Sequence, residues 1–243
     1  MRDIVAADIL ELWEAGLRQQ PLDRALTLLT AVFPERSREQ LAALSIGRRD
    51  AQLLEFRERI FGGRLDAFAE CPRCAARLEL SFAAAEIKPV EQPASDSLQV
   101  TAAETTVRFR LPATADLAAV VAAPDIPIAC EMLLQRCLLG AERNGVAVVP
   151  TELSVEIRDE IGRSMANADP AADVLLDLRC PSCAHGWQVF FDIAAFVWTE
   201  LTAYAHRLLR DVAALARAYH WREVDIVAMT PERRQAYLEL VGQ

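Results

Sequence analysis

The chain has 243 residues and a mass of 26.9 kDa, with 53% hydrophobic and 25% charged residues, which places it in the globular range and excludes disorder as a description of the whole. A net charge of −9 and a sequence pI near 5.0 give no general attraction to phosphate backbones or anionic lipid, so nucleic acid is not an expected partner. No apolar run reaches the roughly 20 residues of a membrane-spanning helix, since Ile193 to Leu209 is broken by Glu200, His206 and Arg207. The early acids Asp3, Glu11 and Glu14 do not suit a secretory signal, so a cytoplasmic protein is expected.

The first 70 residues read as helices. Ala7 to Arg18 carries apolar residues at helical spacing, Asp23 to Phe33 follows Pro21, and Ser37 opens a third helix. Gly47-Arg48-Arg49-Asp50 leads into a fourth, Ala51 to Ile60, which Gly62-Gly63 ends. Ala85 to Ser97, with Pro89 and Pro93, reads as an exposed connector. Val107 to Leu111 alternates as a strand, Asp116 to Ala122 and Ile126 to Leu139 are helical, and Asn144-Gly145 turns into a short strand at Val146 to Val149. A helix from Thr151 to Ala168 stops at Asp169-Pro170. Ile193 to Tyr219 is a long amphipathic helix followed by two short ones, the last opening at Thr230-Pro231-Glu232.

Four of the six cysteines form two matching pairs, Cys71-Pro72-Arg73-Cys74 and Cys180-Pro181-Ser182-Cys183. Two residues between cysteines let a tight turn aim both sulfurs at one ion, and two such turns complete a tetrahedral site. Strand-like sequence follows each pair, Arg77 to Phe82 and Trp187 to Phe191, and Val174 to Leu178 delivers the second pair. Each pair therefore reads as a knuckle beginning a hairpin. About 105 residues intervene between Cys74 and Cys180, against about 15 to 20 in a compact ribbon, so a subdomain is inserted between the two halves. Cys71, Cys74, Cys180 and Cys183 are the expected ligands of one structural Zn2+.

A thiol oxidoreductase needs a Cys-x-x-Cys opening a helix, and neither pair has that setting. A catalytic zinc is disfavoured because four thiolates leave no position for water. His185 is a competing ligand, read more simply as a turn residue; His206 and His220 read as surface or helix-end residues. Cys130 and Cys137 fall on one helical face and read as core thiols. Trp13, Trp198, Trp221 and Tyr237 read first as helix packing and second as interface anchors. No phosphate-binding glycine loop, dinucleotide fingerprint, His-Glu-x-x-His or nucleophile elbow occurs, so no catalytic or cofactor-binding residue is nominated.

The expected architecture is α+β. Helical N- and C-terminal regions, residues 1–70 and 193–243, surround a small antiparallel zinc-ribbon-like sheet in 71–192, with the insertion spanning 75–179.

The order of several short motifs resembles a family of baseplate and baseplate-hub assembly proteins of contractile phage tails and contractile injection systems. The motifs are Leu44-Ser45-Ile46-Gly47-Arg48-Arg49-Asp50 leading to Arg57 and Phe61-Gly62, the first Cys-Pro-x-Cys, and Val107-Arg108-Phe109-Arg110-Leu111-Pro112 before Asp116-Leu117. Asp169-Pro170, the second Cys-Pro-x-Cys, and Val212 to Trp221 with Arg233, Arg234 and Tyr237 complete the set. The resemblance implies a non-enzymatic structural or assembly component whose partners are other baseplate, hub, spike or tube proteins, whether it stays in the particle or acts only during assembly. The competing reading is a zinc-ribbon adaptor for nucleic acid or the transcription machinery, although the basic residues near the knuckles are only Arg64, Arg73, Arg77 and Arg179.

Overall fold

The computed structural model describes residues 2–87, 97–102 and 104–241. In chain order the helices and strands are α1 (Ala6–Gly16), α2 (Pro21–Val32), α3 (Arg38–Ala42), α4 (Ile46–Phe61), β1 (Arg64–Glu70), β2 (Arg77–Ala83) and α5 (Ala84–Ile87). Then come β3 (Leu98–Ala102), β4 (Thr105–Phe109), α6 (Thr114–Val120), α7 (Ile126–Cys137), β5 (Leu138–Arg143), β6 (Val146–Ala147) and α8 (Val155–Ala168). The chain ends with β7 (Leu175–Arg179), β8 (Gly186–Phe190), α9 (Ile193–Tyr219), α10 (Glu223–Val227) and α11 (Pro231–Val241). The protein is thus mixed α+β, with antiparallel strand pairing throughout the described sheets. No described helix is long and apolar enough to cross a membrane.

Two compact units divide the chain. One combines Met1–Ser37 with Ile193–Gln243, and the other is Arg38–Asp192. The two ends of the chain therefore share one helical unit, while α3 and α4 belong with the strands. In the helical unit α9 is the long central element. Its Leu208, Val212 and Leu215 bury against Leu10 of α1 and Ile226 of α10, as an amphipathic stripe requires. Trp198 lies against Gly16, where an added Cβ would meet its ring at 2.1 Å. Trp13 meets His206 edge-on, and Tyr219, Trp221 and Tyr237 form one aromatic cluster. These aromatics are packing residues of the unit. Arg234 is buried and bonded to Asp211 at 3.2 Å.

Among the described residues three sheets, rather than one small sheet, make up the β structure of the second unit. Hairpins β1-β2 and β7-β8 are separate two-stranded sheets, and the insertion builds its own four-stranded sheet in the order β3-β4-β5-β6. Val100, Val107 and Phe109 of that sheet pack on Ile157 and Ile161 of α8. β1, β3 and β5 are missing from the sequence reading. The inward face of β1 carries only Leu65, Ala67 and Ala69, with Phe68 on the exposed face, a weak alternation in which alanine is a poor strand former, and the backbone turns from α7 directly into β5 at Cys137–Leu138. α4 begins at Ile46, five residues earlier than expected, because Ser45 caps it by accepting from the Arg48 N–H. The expected connector from Ala85 to Ser97 opens with α5, and residues 88–96 lie outside the described residues.

Cys130 departs from the core reading given to it. It is exposed, and of the two thiols Cys137 alone is buried. The first turns of α7 project from the unit, with Ile126 78% exposed, and the helix is covered at its last turn. Burial pushes the Cys137 thiol up to about 11.

Below Cys137 a buried carboxylate organises the junction of β4, α6 and α7. Asp116 accepts from Arg110 at 2.5 and 2.9 Å, from the Arg136 Nε at 3.0 Å, and from the Ala113 N–H at 3.0 Å. Burial alone would raise its pKa, but the Arg110 guanidinium and the Ala113 amide outweigh that and hold it below the ordinary value. A depressed folded-state pKa means this stabilisation is complete above the unfolded value near 4 and is lost as pH falls through the folded one. Asp116→Asn is therefore expected to cost about 2 kcal/mol at pH 7 and to flatten the acid limb of a stability-against-pH curve. Urea melts from pH 2 to 7 check this, and an unchanged acid limb would refute it.

Candidate metal centre

Each knuckle is the tip of a hairpin, not its beginning. β1 enters Cys71 and β2 leaves Ala76, while β7 enters Cys180 and β8 leaves His185. The backbones match bond for bond. The Cys71 N–H donates to the Ala76 carbonyl and the Ala75 N–H to the Cys71 carbonyl, both at 2.9 Å. The Cys180 N–H donates to His185 and the Ala184 N–H to Cys180, again at 2.9 Å. Pro72 and Pro181 preset the first turn residue and lack an N–H that the turn would otherwise leave unbonded. Ala75 and Ala184 follow the second cysteines with φ of 56° and 58°, a left-handed conformation that closes the loop and costs a non-glycine residue about 1–2 kcal/mol.

These turns bring together all four cysteines singled out by their spacing. The sulfurs of Cys71, Cys74, Cys180 and Cys183 lie within 4.8 Å of one another and can hold a metal ion. Cys71 Sγ is 3.7 Å from Cys183 Sγ, and Cys74 Sγ is 3.6 Å from Cys180 Sγ. A zinc–sulfur bond of about 2.3 Å places tetrahedral sulfurs about 3.8 Å apart, close to these two separations. Cys71 and Cys180 are buried, Cys183 is half-buried and Cys74 is exposed. Leu78 packs under the cluster, with Leu80 and Trp187 at its margin. His185, the competing ligand, stacks its ring on Trp187 with centroids 5.9 Å apart.

Electrostatics within the cluster is uneven. Burial opposes ionisation of Cys180, but the N–H groups of Cys183 and Ser182 overcome it and bring the thiol down to about 6. The Ala76 N–H favours the Cys74 thiolate, yet the adjoining Cys183 and Cys180 sulfurs outweigh it, and this thiol is pushed up to about 12. Adjacent sulfurs cannot all be negative without a cation between them, and a coordinated divalent ion removes that conflict.

A second convergence joins motifs that lie far apart in the sequence. At the start of α4 the Gly47 N–H donates to Asp169 Oδ2 at 2.9 Å, and the Ile46 N–H donates to the Pro112 carbonyl at 3.1 Å. Ser45 and Ala113 form a β-bridge. Arg49 and Asp50 pair within this buried region at 2.7 and 3.0 Å. Burial raises the Asp50 carboxyl pKa against the pull of Arg49. No family model, curated protein or solved structure matches the chain.

Proposed function

We propose that the chain is a non-enzymatic structural or assembly component of a contractile-particle baseplate, with Cys71, Cys74, Cys180 and Cys183 binding one structural Zn2+ in a split zinc ribbon. The observation that carries the metal reading is the meeting of four sulfurs within 4.8 Å of one another, from hairpins in distant parts of the sequence. Four thiolates fill the coordination sphere, so the ion ties the chain and does not activate water. The baseplate reading is supported by the ordered motifs, whose elements Ser45 to Gly47, Pro112-Ala113 and Asp169-Pro170 meet in one junction.

A scaffold of this kind needs fixed surfaces, and a metal tie between hairpins provides rigidity without a large core. Co-expression with tube, spike and wedge proteins of a contractile particle is expected to yield a stable complex in affinity capture followed by size-exclusion chromatography. Failure to associate with any of them would refute the baseplate assignment, while elemental analysis of the same preparation tests the zinc separately.

A further inference from the structure

Between the two hairpins runs a cleft of about 910 Å³, lined by Glu79 to Phe82 of β2 and by Val174 to Leu178 in and before β7, with Glu86 and Asp173 toward one end. The lining takes consecutive residues from each strand. A sheet face would contribute alternate residues, so the cleft is bounded by strand edges. Backbone pairing supports the same conclusion. The bonded positions that include Cys71 with Ala76 and Gly63 with Ala84 commit Leu78, Leu80 and Phe82 to β1, leaving the N–H and C=O of Glu79 and Ser81 directed away from it. In the second hairpin, Cys180 with His185 and Val174 with Phe191 commit Leu176 and Leu178 to β8 and turn the peptide groups of Leu175 and Asp177 outward. Among the described residues neither edge pairs with another strand.

We infer that this cleft accepts an extended segment of a partner protein, inserted as a strand between β2 and β7 and joining the two hairpins into one five-stranded sheet. A five-residue strand about 17 Å long, at ~4.8 Å strand spacing and ~10 Å sheet thickness, occupies about 800 Å³, comparable to the cleft. Leu80, Leu176 and Leu178 lie on the more buried face, while Glu79 and Asp177 lie on the exposed one. Among the described residues the lining holds four acids, Glu79, Glu86, Asp173 and Asp177, and no lysine or arginine. The occupant is therefore a segment that alternates apolar residues with lysine or arginine, its main chain giving affinity and its basic face giving choice of partner. A second copy of this chain is a poor occupant, because a protein of net charge −9 repels itself at an acidic cleft. The site rests on the two free strand edges facing one cleft and is independent of both the metal and the baseplate assignments.

Fluorescence anisotropy with the full-length, zinc-analysed protein and a labelled nine-residue peptide of alternating valine and lysine tests this. We expect that peptide to bind at least tenfold more tightly than a lysine–glycine peptide of equal charge or a valine–glutamate peptide. Leu175→Pro removes one outward N–H at the first residue of a strand, where proline is tolerated, and is expected to weaken binding at least tenfold. The Glu79→Lys, Asp177→Lys double variant is expected to prefer the glutamate peptide, with melting temperature unchanged. Equal binding of the lysine–glycine peptide, indifference to Leu175→Pro, or sedimentation showing a self-associated dimer that the peptide does not dissociate would each overturn the proposal. Zinc-loaded protein that binds none of the peptides would refute the strand site and leave the metal reading intact; metal-free protein that binds the valine–lysine peptide would do the reverse.

Discussion

Cys71→Ser and Cys180→Ser are each expected to abolish zinc binding and to lower the melting temperature by roughly 10–20 °C, with no further loss in the double variant. The magnitude follows from the chain the metal closes. Cys74 and Cys180 are 106 positions apart, and a cross-link across about 100 residues removes about 4–5 kcal/mol of unfolded-state entropy. For a protein of this length each kcal/mol moves the midpoint by about 2–4 °C. The small core beneath the sulfurs, chiefly Leu78 with Leu80 and Trp187 at its edge, offers little to replace the tie. Non-additivity distinguishes a single shared site from two independent knuckles, because the second substitution has no bound metal left to release. Elemental analysis with calorimetry on all three variants reads both quantities. Zinc retained at one equivalent in either single variant, or additive losses, would overturn the four-cysteine site.

Gly47→Ala is expected to cost roughly 3 kcal/mol although the position opens a helix, where alanine normally gains about 1 kcal/mol over glycine. A Cβ at Gly47 would come within 2.0 Å of Asp169 Oδ1 and 2.9 Å of the Ala172 amide nitrogen. Either the carboxylate moves and abandons its bond to the Gly47 N–H, or α4 withdraws from the 3-10 turn Pro170–Ala172. The first leaves a buried amide unpaired at about 1–3 kcal/mol, and the second opens a packed contact at similar cost. Asp169→Ala also loses the bond, but it makes room for the new methyl group. The double variant Gly47→Ala, Asp169→Ala is therefore expected to be more stable than the sum of the single losses implies. Urea unfolding of the three variants checks this, and strict additivity would show that Asp169 does not confine Gly47.

Much of the site was legible from four cysteines. Cys-Pro-x-Cys is a local instruction: proline, the two-residue spacing and the strand formers around it specify a turn with two convergent sulfurs within a few residues. The duplicate pattern then implies that the two turns meet, whatever lies between them, because one knuckle alone leaves a tetrahedral ion half coordinated. The long helices were legible for the same local reason, as in α9, where Val197, Leu201, Leu208 and Leu215 mark one buried stripe. β1 escaped notice because an inward face of Leu65 and two alanines, with the apolar Phe68 on the opposite face, has little pattern of its own and is defined by its partner β2.

The sequence by itself determined the local parts: the two Cys-Pro-x-Cys turns, the chief helices and the acidic balance. Tertiary structure alone decided that Asp169 seats on Gly47 across 122 positions, that Cys130 is exposed while Cys137 is buried, and that, among the described residues, β2 and β7 keep free edges beside an acidic cleft. The physical reason is the range of the interactions. Turn geometry and hydrophobic periodicity act over a few residues and are written in the order of side chains. Which distant surfaces meet depends on loop closure and on the packing of many side chains at once, which no single stretch of sequence carries.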